Sequence, residues 1–301
     1  MMAAMEDLFA GDLVSPRNAR VRAALDLCRS AAARRESGAY LVEGIKLVNE
    51  AVQEGVPLLD LFVSPGLLRH EGGPGLLATL KEAGAPLLPV ADGVMARLSE
   101  SRSPQGILAT AVRPAGVPSP PSRTPGRPLL VGWHIQDPGN LGALIRIVEA
   151  TGAAGFLAAG GGADPYHPRA VRATAGSLFR VRPSQCQDAA ALLATLRSAG
   201  LDLVAAVPRD GDPPASFPWD RPWALLIGGE GEGLPDVLLQ AAGRRVAIPT
   251  EGRVESLAVP AAAAMLLYEA QRHRITPAGR SQGGRSAARP RRARPRGPRG
   301  G

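Results

Sequence analysis

Three short segments of this chain carry residue types that do chemistry only when the backbone holds them in particular ways. Residues 227–235 (IGGEGEGLP) place Gly228, Gly229, Gly231 and Gly233 between an apolar run and a helix start. Glycines this dense let the main chain bend tightly and approach a bound molecule with bare N–H and C=O groups. The spacing is GxGxG, and it falls late in its domain rather than at a first βα turn. A dinucleotide fingerprint is therefore not the reading. In residues 137–146 (DPGNLGALIR), Asn140 is placed to cap a helix beginning at Leu141, and Arg146 projects two turns later from a Leu, Ala and Ile surface. Residues 248–269 (IPTEGRVESLAVPAAAAMLLYE) join a strand end to a small-residue helix through a loop that gathers Glu251, Arg253, Glu255 and Ser256 beside free backbone N–H groups. Taken singly, each segment also has a plain reading: a glycine turn, a capped helix with a solvated arginine, a buried alanine-rich helix.

Positioning such groups requires a scaffold, and turn residues divide the chain into one. Apolar spacing predicts a helix over 17–35, a second over 42–54, a strand over 58–63, a helix over 75–83, a strand over 86–90, a short helix over 93–99 and a strand over 106–112. Residues 114–128 (PAGVPSPPSRTPGRP) are dense in Pro and Ser and read as a linker. Beyond it, strands are expected over 129–135, 154–158, 202–207, 223–227 and 245–248. Helices are expected over 141–150, 168–175, 189–198, 236–242 and 257–273, with 178–181 extended. Strands alternating with helices imply βα units on a mostly parallel sheet covered on both faces. The expected organisation is a flexible N-terminus (1–13), a small α/β domain (14–113), the linker (114–128), a larger α/β domain (129–275) and an Arg-rich tail (276–301).

Charge adds the partner. The 301 residues carry a net charge of +8, yet eight arginines and no acid fall between Arg280 and Gly301, which leaves 27 basic against 27 acidic residues before them. A tail of Arg, Gly, Pro and Ser cannot bury enough apolar surface to fold, and its charge density suits nucleic-acid phosphates. No run reaches the roughly 18 uncharged apolar residues of a membrane span. The N-terminus, with Glu6, Asp7 and Asp12, lacks the basic and apolar regions of a secretion signal, so a cytoplasmic location is expected. Only Cys28 and Cys186 are present, and His134, His167 and His273 are scattered, so neither a disulfide framework nor a metal site is expected.

In order and spacing, NLGALIR (140–146), LLIGGEGEGLP (225–235) and the 248–269 segment resemble the SpoU-type (TrmH-like) RNA 2′-O-ribose methyltransferases of the SPOUT superfamily, with support from DPYHPRAVRATAG (164–176). RRESGAYLVEGIKLVNEA (34–51) and LSESRSPQGILA (98–109) are similar to that family's ribosomal-protein-like substrate-binding module. The resemblance implies a trefoil-knotted catalytic domain, S-adenosylmethionine as cofactor, structured rRNA or tRNA as substrate with rRNA favoured, and a homodimer through the C-terminal domain. Carried over residue by residue, Arg146, Asn140, Glu230 and Ser256 are the implied catalytic group. Gly229, Ile248 and Leu257, with Ile227, Gly228 and Gly231, are the implied cofactor contacts. Arg34, Arg35, Lys46 and Arg172 are the implied RNA contacts. Ala258 departs from the family pattern, which carries Asn there. Two other readings remain open at this stage: base methylation within the superfamily, and a non-catalytic RNA-binding or ribosome-assembly protein on the same fold.

Overall fold

The stretch expected to be one helix over 17–35 is two. In the computed structural model, which describes residues 7–114, 124–251 and 256–275, α1 (Ala19–Arg29) stops at Ser30 and α2 (Ala31–Ser37) starts there. Ser30 ends one helix in extended backbone and its hydroxyl accepts the N–H of Ala33, so it caps the next. Val42 and Glu43, expected in a helix, belong instead to strand β1 (Ala39–Glu43), which Gly38 and Gly44 bound at positive φ. Ala39 and Leu41 face one apolar cluster while Tyr40 and Val42 face another. A strand buried on both faces shows no alternation, which is why its pattern merged with that of the following helix α3 (Ile45–Gln53). The remaining elements of this half are β2 (Leu58–Val63), α4 (Gly73–Glu82), β3 (Leu87–Pro89), α5 (Asp92–Leu98) and β4 (Ile107–Val112). Its sheet runs β1-β4-β2-β3, with only β2 and β3 parallel.

The second sheet is parallel throughout, in the order β10-β8-β9-β5-β6-β7. Its strands are β5 (Leu129–Trp133), β6 (Gly155–Ala159), β7 (Ser184–Cys186), β8 (Asp202–Ala206), β9 (Trp223–Gly228) and β10 (Arg244–Val246). One face is covered by α6 (Pro138–Thr151), α7 (Pro168–Ala173), α8 (Ser177–Val181) and α11 (Val259–Ile275), the other by α9 (Ala189–Ser198) and α10 (Asp236–Ala241). Residues 178–181, expected to be extended, are helical, because Gly176 in left-handed backbone restarts the chain as α8 and buries Leu178 and Phe179 against the core. The chain runs outward through β6 and β7 on one side of β5, crosses to β8 on the other side, returns to β9 beside β5 and leaves again to the edge strand β10. Strand order therefore reverses between β5 and β9, and open parallel sheets bind ligands at the carboxyl ends of the strands flanking such a point. Both the 137–146 and the 227–235 segments leave the sheet there. Of the expected linker, residues 115–123 lie outside the described residues, as do Arg253, Glu255 and the tail.

Residues 164–182 join the two sheets. The Arg34 guanidinium, 2% exposed, donates from Nε to Asp164 Oδ2 at 2.7 Å and from Nη1 to the Leu27 carbonyl at 2.6 Å. Tyr40 and Tyr166 meet edge to face at 5.0 Å, and the Arg113 guanidinium lies 4.5 Å from the centre of the Tyr166 ring. Arg180 donates to Glu50 on α3 at 2.7 Å, to Glu54 just past the end of α3 at 3.0 Å, and to Glu149 on α6. The guanidinium holds the Glu149 carboxyl below its ordinary value, against a smaller opposing effect of burial. A carboxyl lowered by folding stabilises the folded chain above its unfolded pKa of about 4.3, and that contribution is lost as pH falls through the lowered value. Unfolding temperature is thus expected to fall on acidification below about pH 4, and to fall less steeply in Glu149→Gln. Equal slopes in thermal melts from pH 5 to 3 would remove this role for Glu149.

Candidate functional site

The residues after β5 turn through Asp137 into α6. Asp137, not Asn140, is the cap: its Oδ1 accepts the Asn140 N–H at 2.9 Å, with Pro138 at the first helical position, where a missing N–H costs nothing. The expected cap was one turn late because Asp and Asn both suit that role, and the Asp-Pro pair is the signal that separates them. Asn140 is freed by this arrangement, and its Nδ2 donates to Glu230 Oε1 at 2.7 Å. Two residues ninety positions apart thus meet where β5 and β9 end. Arg169 on α7 donates to the second oxygen of Asp137 at 3.1 Å, a contact that sequence reasoning did not single out. Gly142 makes it possible. A Cβ there would sit 2.4 Å from the Ala170 carbonyl oxygen, so only glycine lets α7 lie this close to α6. His167 caps α7 by accepting the Arg169 N–H on Nδ1, and burial lowers its pKa, which favours the neutral ring that can accept.

The glycine segment closes on itself. Gly229 donates to the Trp133 carbonyl at 2.8 Å and accepts from Gly233 at 3.3 Å. A Cβ on Gly228 would lie 2.2 Å from the Gly233 carbonyl carbon, and one on Gly229 would lie 2.3 Å from the His134 oxygen. His134 itself stands at φ 51°, a left-handed conformation that brings this carbonyl against the glycine loop. The loop forms one wall of a cavity of about 580 Å³, whose other walls come from the end of β8, residues 246–250 and the start of α11. Ile227, Gly228, Gly229, Glu230, Gly231, Ile248, Ser256 and Leu257 all line it, so every residue assigned to cofactor contact and two of the four assigned to catalysis come together. Ala258, where the resemblance leads one to look for Asn, lines it as well. Its carbonyl accepts the Ala262 N–H at 3.0 Å, which satisfies a donor of the first turn of α11.

Arg146 is not gathered into this group. It lies six residues after Asn140 on α6, hence about 120° around the helix and about 9 Å along it. It is exposed, and among the described residues no hydrogen bond or ion pair engages it. The residues assigned to RNA divide. Arg34 is buried in the pair with Asp164 and cannot face a nucleic acid, a correction that follows from burial at the seam between the sheets. Arg35 is exposed, and Lys46 and Arg172 line a second groove. Among the described residues no cluster of metal-ligating side chains exists, and no helix is long and apolar enough to cross a membrane.

The model of the SpoU rRNA methylase family matches residues 128–268, and that of an MRM3-like substrate-binding domain matches residues 18–109. An uncharacterized tRNA/rRNA methyltransferase of Synechocystis is 32% identical over 79% of this chain and 86% of its own length. The 23S rRNA (uridine(2479)-2′-O)-methyltransferase of Streptomyces viridochromogenes is 30% identical over 87% of this chain and 93% of its own. Among solved structures, that of the SpoU methyltransferase AviRb from the same organism, in complex with the cofactor AdoMet, superposes with a TM-score of 0.76 at 29% identity. It covers 86% of this chain and 99% of that one.

Proposed function

The chain belongs to the SpoU rRNA methylase family, and from that premise we propose that it transfers a methyl group from S-adenosylmethionine to a ribose 2′-OH of rRNA. The observation that carries the reading is the Asn140–Glu230 hydrogen bond, made by a residue of the cavity wall at the carboxyl ends of β5 and β9. The cavity fits the cofactor in size and chemistry: about 580 Å³ lies within the range of small-molecule sites, and its glycine wall admits no side chain at 228 or 229. When bound, S-adenosylmethionine supplies a methyl group activated for in-line displacement. Ile227, Ile248 and Leu257 give the apolar walls that would hold it, and Gly228, Gly229 and Gly231 the close backbone. The knotted loops that the resemblance implies are 225–235 and 248–258, and residues 252–255 of the second lie outside the described residues.

The protein's part is to place the ribose hydroxyl and ease loss of its proton. Asn140 fixes the Glu230 carboxylate, and Ser256 is exposed at the cavity. Arg146, whose guanidinium offers donors and no acceptor, serves as a phosphate clamp and stabilises the developing alkoxide, while water or a neighbouring group takes the proton. Its position on α6 supports a homodimer. α11, which packs on α6, exposes Met265, Tyr268 and Ile275, an apolar stripe suited to a second copy that would bring its own Arg146 to this site. The assembly is proposed to act in the cytoplasm.

The test is incubation of the protein with methyl-labelled S-adenosylmethionine and unmodified total RNA, followed by digestion to nucleosides. Label on a 2′-O-methyl nucleoside of rRNA is expected. Label on a base overturns the ribose assignment, and no label without cofactor binding overturns the enzyme. Gly229→Ala, which drives a methyl group into the His134 carbonyl, is expected to weaken S-adenosylmethionine binding in calorimetry by the roughly 5- to 150-fold that overpacking of about 1–3 kcal/mol implies. Unchanged affinity would mean that the loop does not hold the cofactor.

A further inference from the structure

Three motif segments that the methyl-transfer site does not use converge on one groove. Glu43 and Lys46 come from 34–51, Ser101, Ser103 and Gln105 from 98–109, and Arg172 from 164–176; together they line a depression of about 400 Å³ at the seam between the two sheets. Its two acids are already engaged. The Glu43 carboxylate, on a side chain 11% exposed, accepts from the Ser99 hydroxyl and faces Arg172 Nη1 at 3.8 Å. Glu50, also on the wall, is held by Arg180. Gln105, also on the wall, is fixed by accepting the Ile45 N–H on Oε1 at 2.9 Å, and its amide N–H₂ has no hydrogen-bond partner among the described residues. Lys46 is exposed, with no hydrogen-bond or ion-pair partner among the described residues. What remains for a ligand is a set of donors: an ammonium, a guanidinium, an amide and serine hydroxyls. That is the chemistry that receives phosphate and ribose oxygens.

The groove also lies at a definite place relative to the reaction site. Arg169 touches Asp137, the cap from which Asn140 reaches Glu230, and Arg172 follows one turn later on the same face of α7, about 4.5 Å further along. Resting on the reading of the chain as an RNA methyltransferase, we propose that this groove seats a nucleotide of the substrate RNA other than the one methylated, with Lys46 and Arg172 as positioning residues for the strand. The close α6–α7 packing at Gly142 then sets a fixed distance between the seated phosphate and the methylated ribose, so the groove helps choose which nucleotide reacts.

The experiment measures methyl transfer to unmodified total rRNA at varied RNA and salt concentration for the full chain, Lys46→Ala, Arg172→Ala, Glu43→Gln and, as a control on α9, Arg197→Ala. Each of the first two is expected to raise the KM for RNA about 10-fold and to lower the salt slope of RNA binding by about 0.7–0.9, leaving kcat and S-adenosylmethionine affinity unchanged. Glu43→Gln, which releases Arg172, is expected to leave the KM unchanged or lower it. A KM at the parent value in Lys46→Ala and Arg172→Ala overturns the proposal. So does a rise in Glu43→Gln that matches Arg172→Ala, because Arg172 would then serve only the seam. If the parent transfers no methyl, filter binding to the same rRNA separates the two failures: weaker binding by the two variants keeps the groove and removes only the activity, whereas equal binding removes both.

Discussion

Arg146→Ala is expected to lower kcat for methyl transfer by about 10²- to 10³-fold, the usual cost of removing a group that stabilises developing negative charge, and to leave S-adenosylmethionine affinity and thermal stability unchanged. The separation follows from where the side chain stands. It is outside the cavity wall, exposed on α6, and engaged by no partner among the described residues, so its loss opens no void and orphans no buried group. Arg146→Lys refines the test. An ammonium keeps the charge and loses the planar fork, so a guanidinium that clamps phosphate in two places should be replaced only in part. If Arg146→Ala loses cofactor binding and turnover together, the residue is structural. Mixing Arg146→Ala with a Glu230→Gln chain tests the homodimer at the same time. Recovery of activity in the mixture is expected if one copy supplies the arginine to the other's cavity.

Arg34→Met is expected to cost about 3–5 kcal/mol of stability, read as a lowered midpoint in urea or heat. The substitution removes the guanidinium but leaves the Asp164 carboxylate, only 9% exposed, with its charge unpaired. It also frees the Leu27 carbonyl that Arg34 Nη1 had satisfied. The large cost belongs to the broken pair rather than to the pair's own worth, because desolvation offsets much of the attraction between buried charges. The double variant Arg34→Met/Asp164→Leu is accordingly expected to recover much of the loss, which a double-mutant cycle measures directly. An unchanged midpoint combined with weaker RNA binding would restore the RNA role that the sequence suggested for Arg34.

Much of this molecule is written locally. Apolar strands over 129–133 and 223–228 followed by Asp-Pro-Gly-Asn and by four glycines announce a parallel sheet with special turns at the ends of two strands. The order and spacing of 140–146, 225–235 and 248–269 also carry the resemblance that implies their chemistry. Elements went astray where local pattern is silent or misleading. β1 is buried on both faces and has no period, α8 is a single turn restarted by Gly176, and Ser30 divides a helix through its own hydroxyl.

What only the tertiary structure decided is the fate of individual charges. Arg34 and Lys46 lie twelve residues apart in similar surroundings of sequence, yet one is sealed against Asp164, 130 positions away, and the other stands free over a groove. Asn140 and Asp137 both suit a helix cap; Asp137 takes that role ahead of Pro138, and the Asn140 amide then donates to Glu230, a partner arriving from the end of β9 that no local pattern names. Sequence by itself determines which groups are present and which backbone geometries they permit, since propensity and periodicity act over a few neighbours. Whether a charge meets water or a partner depends on packing between segments far apart in the chain, and desolvation makes that difference worth several kcal/mol.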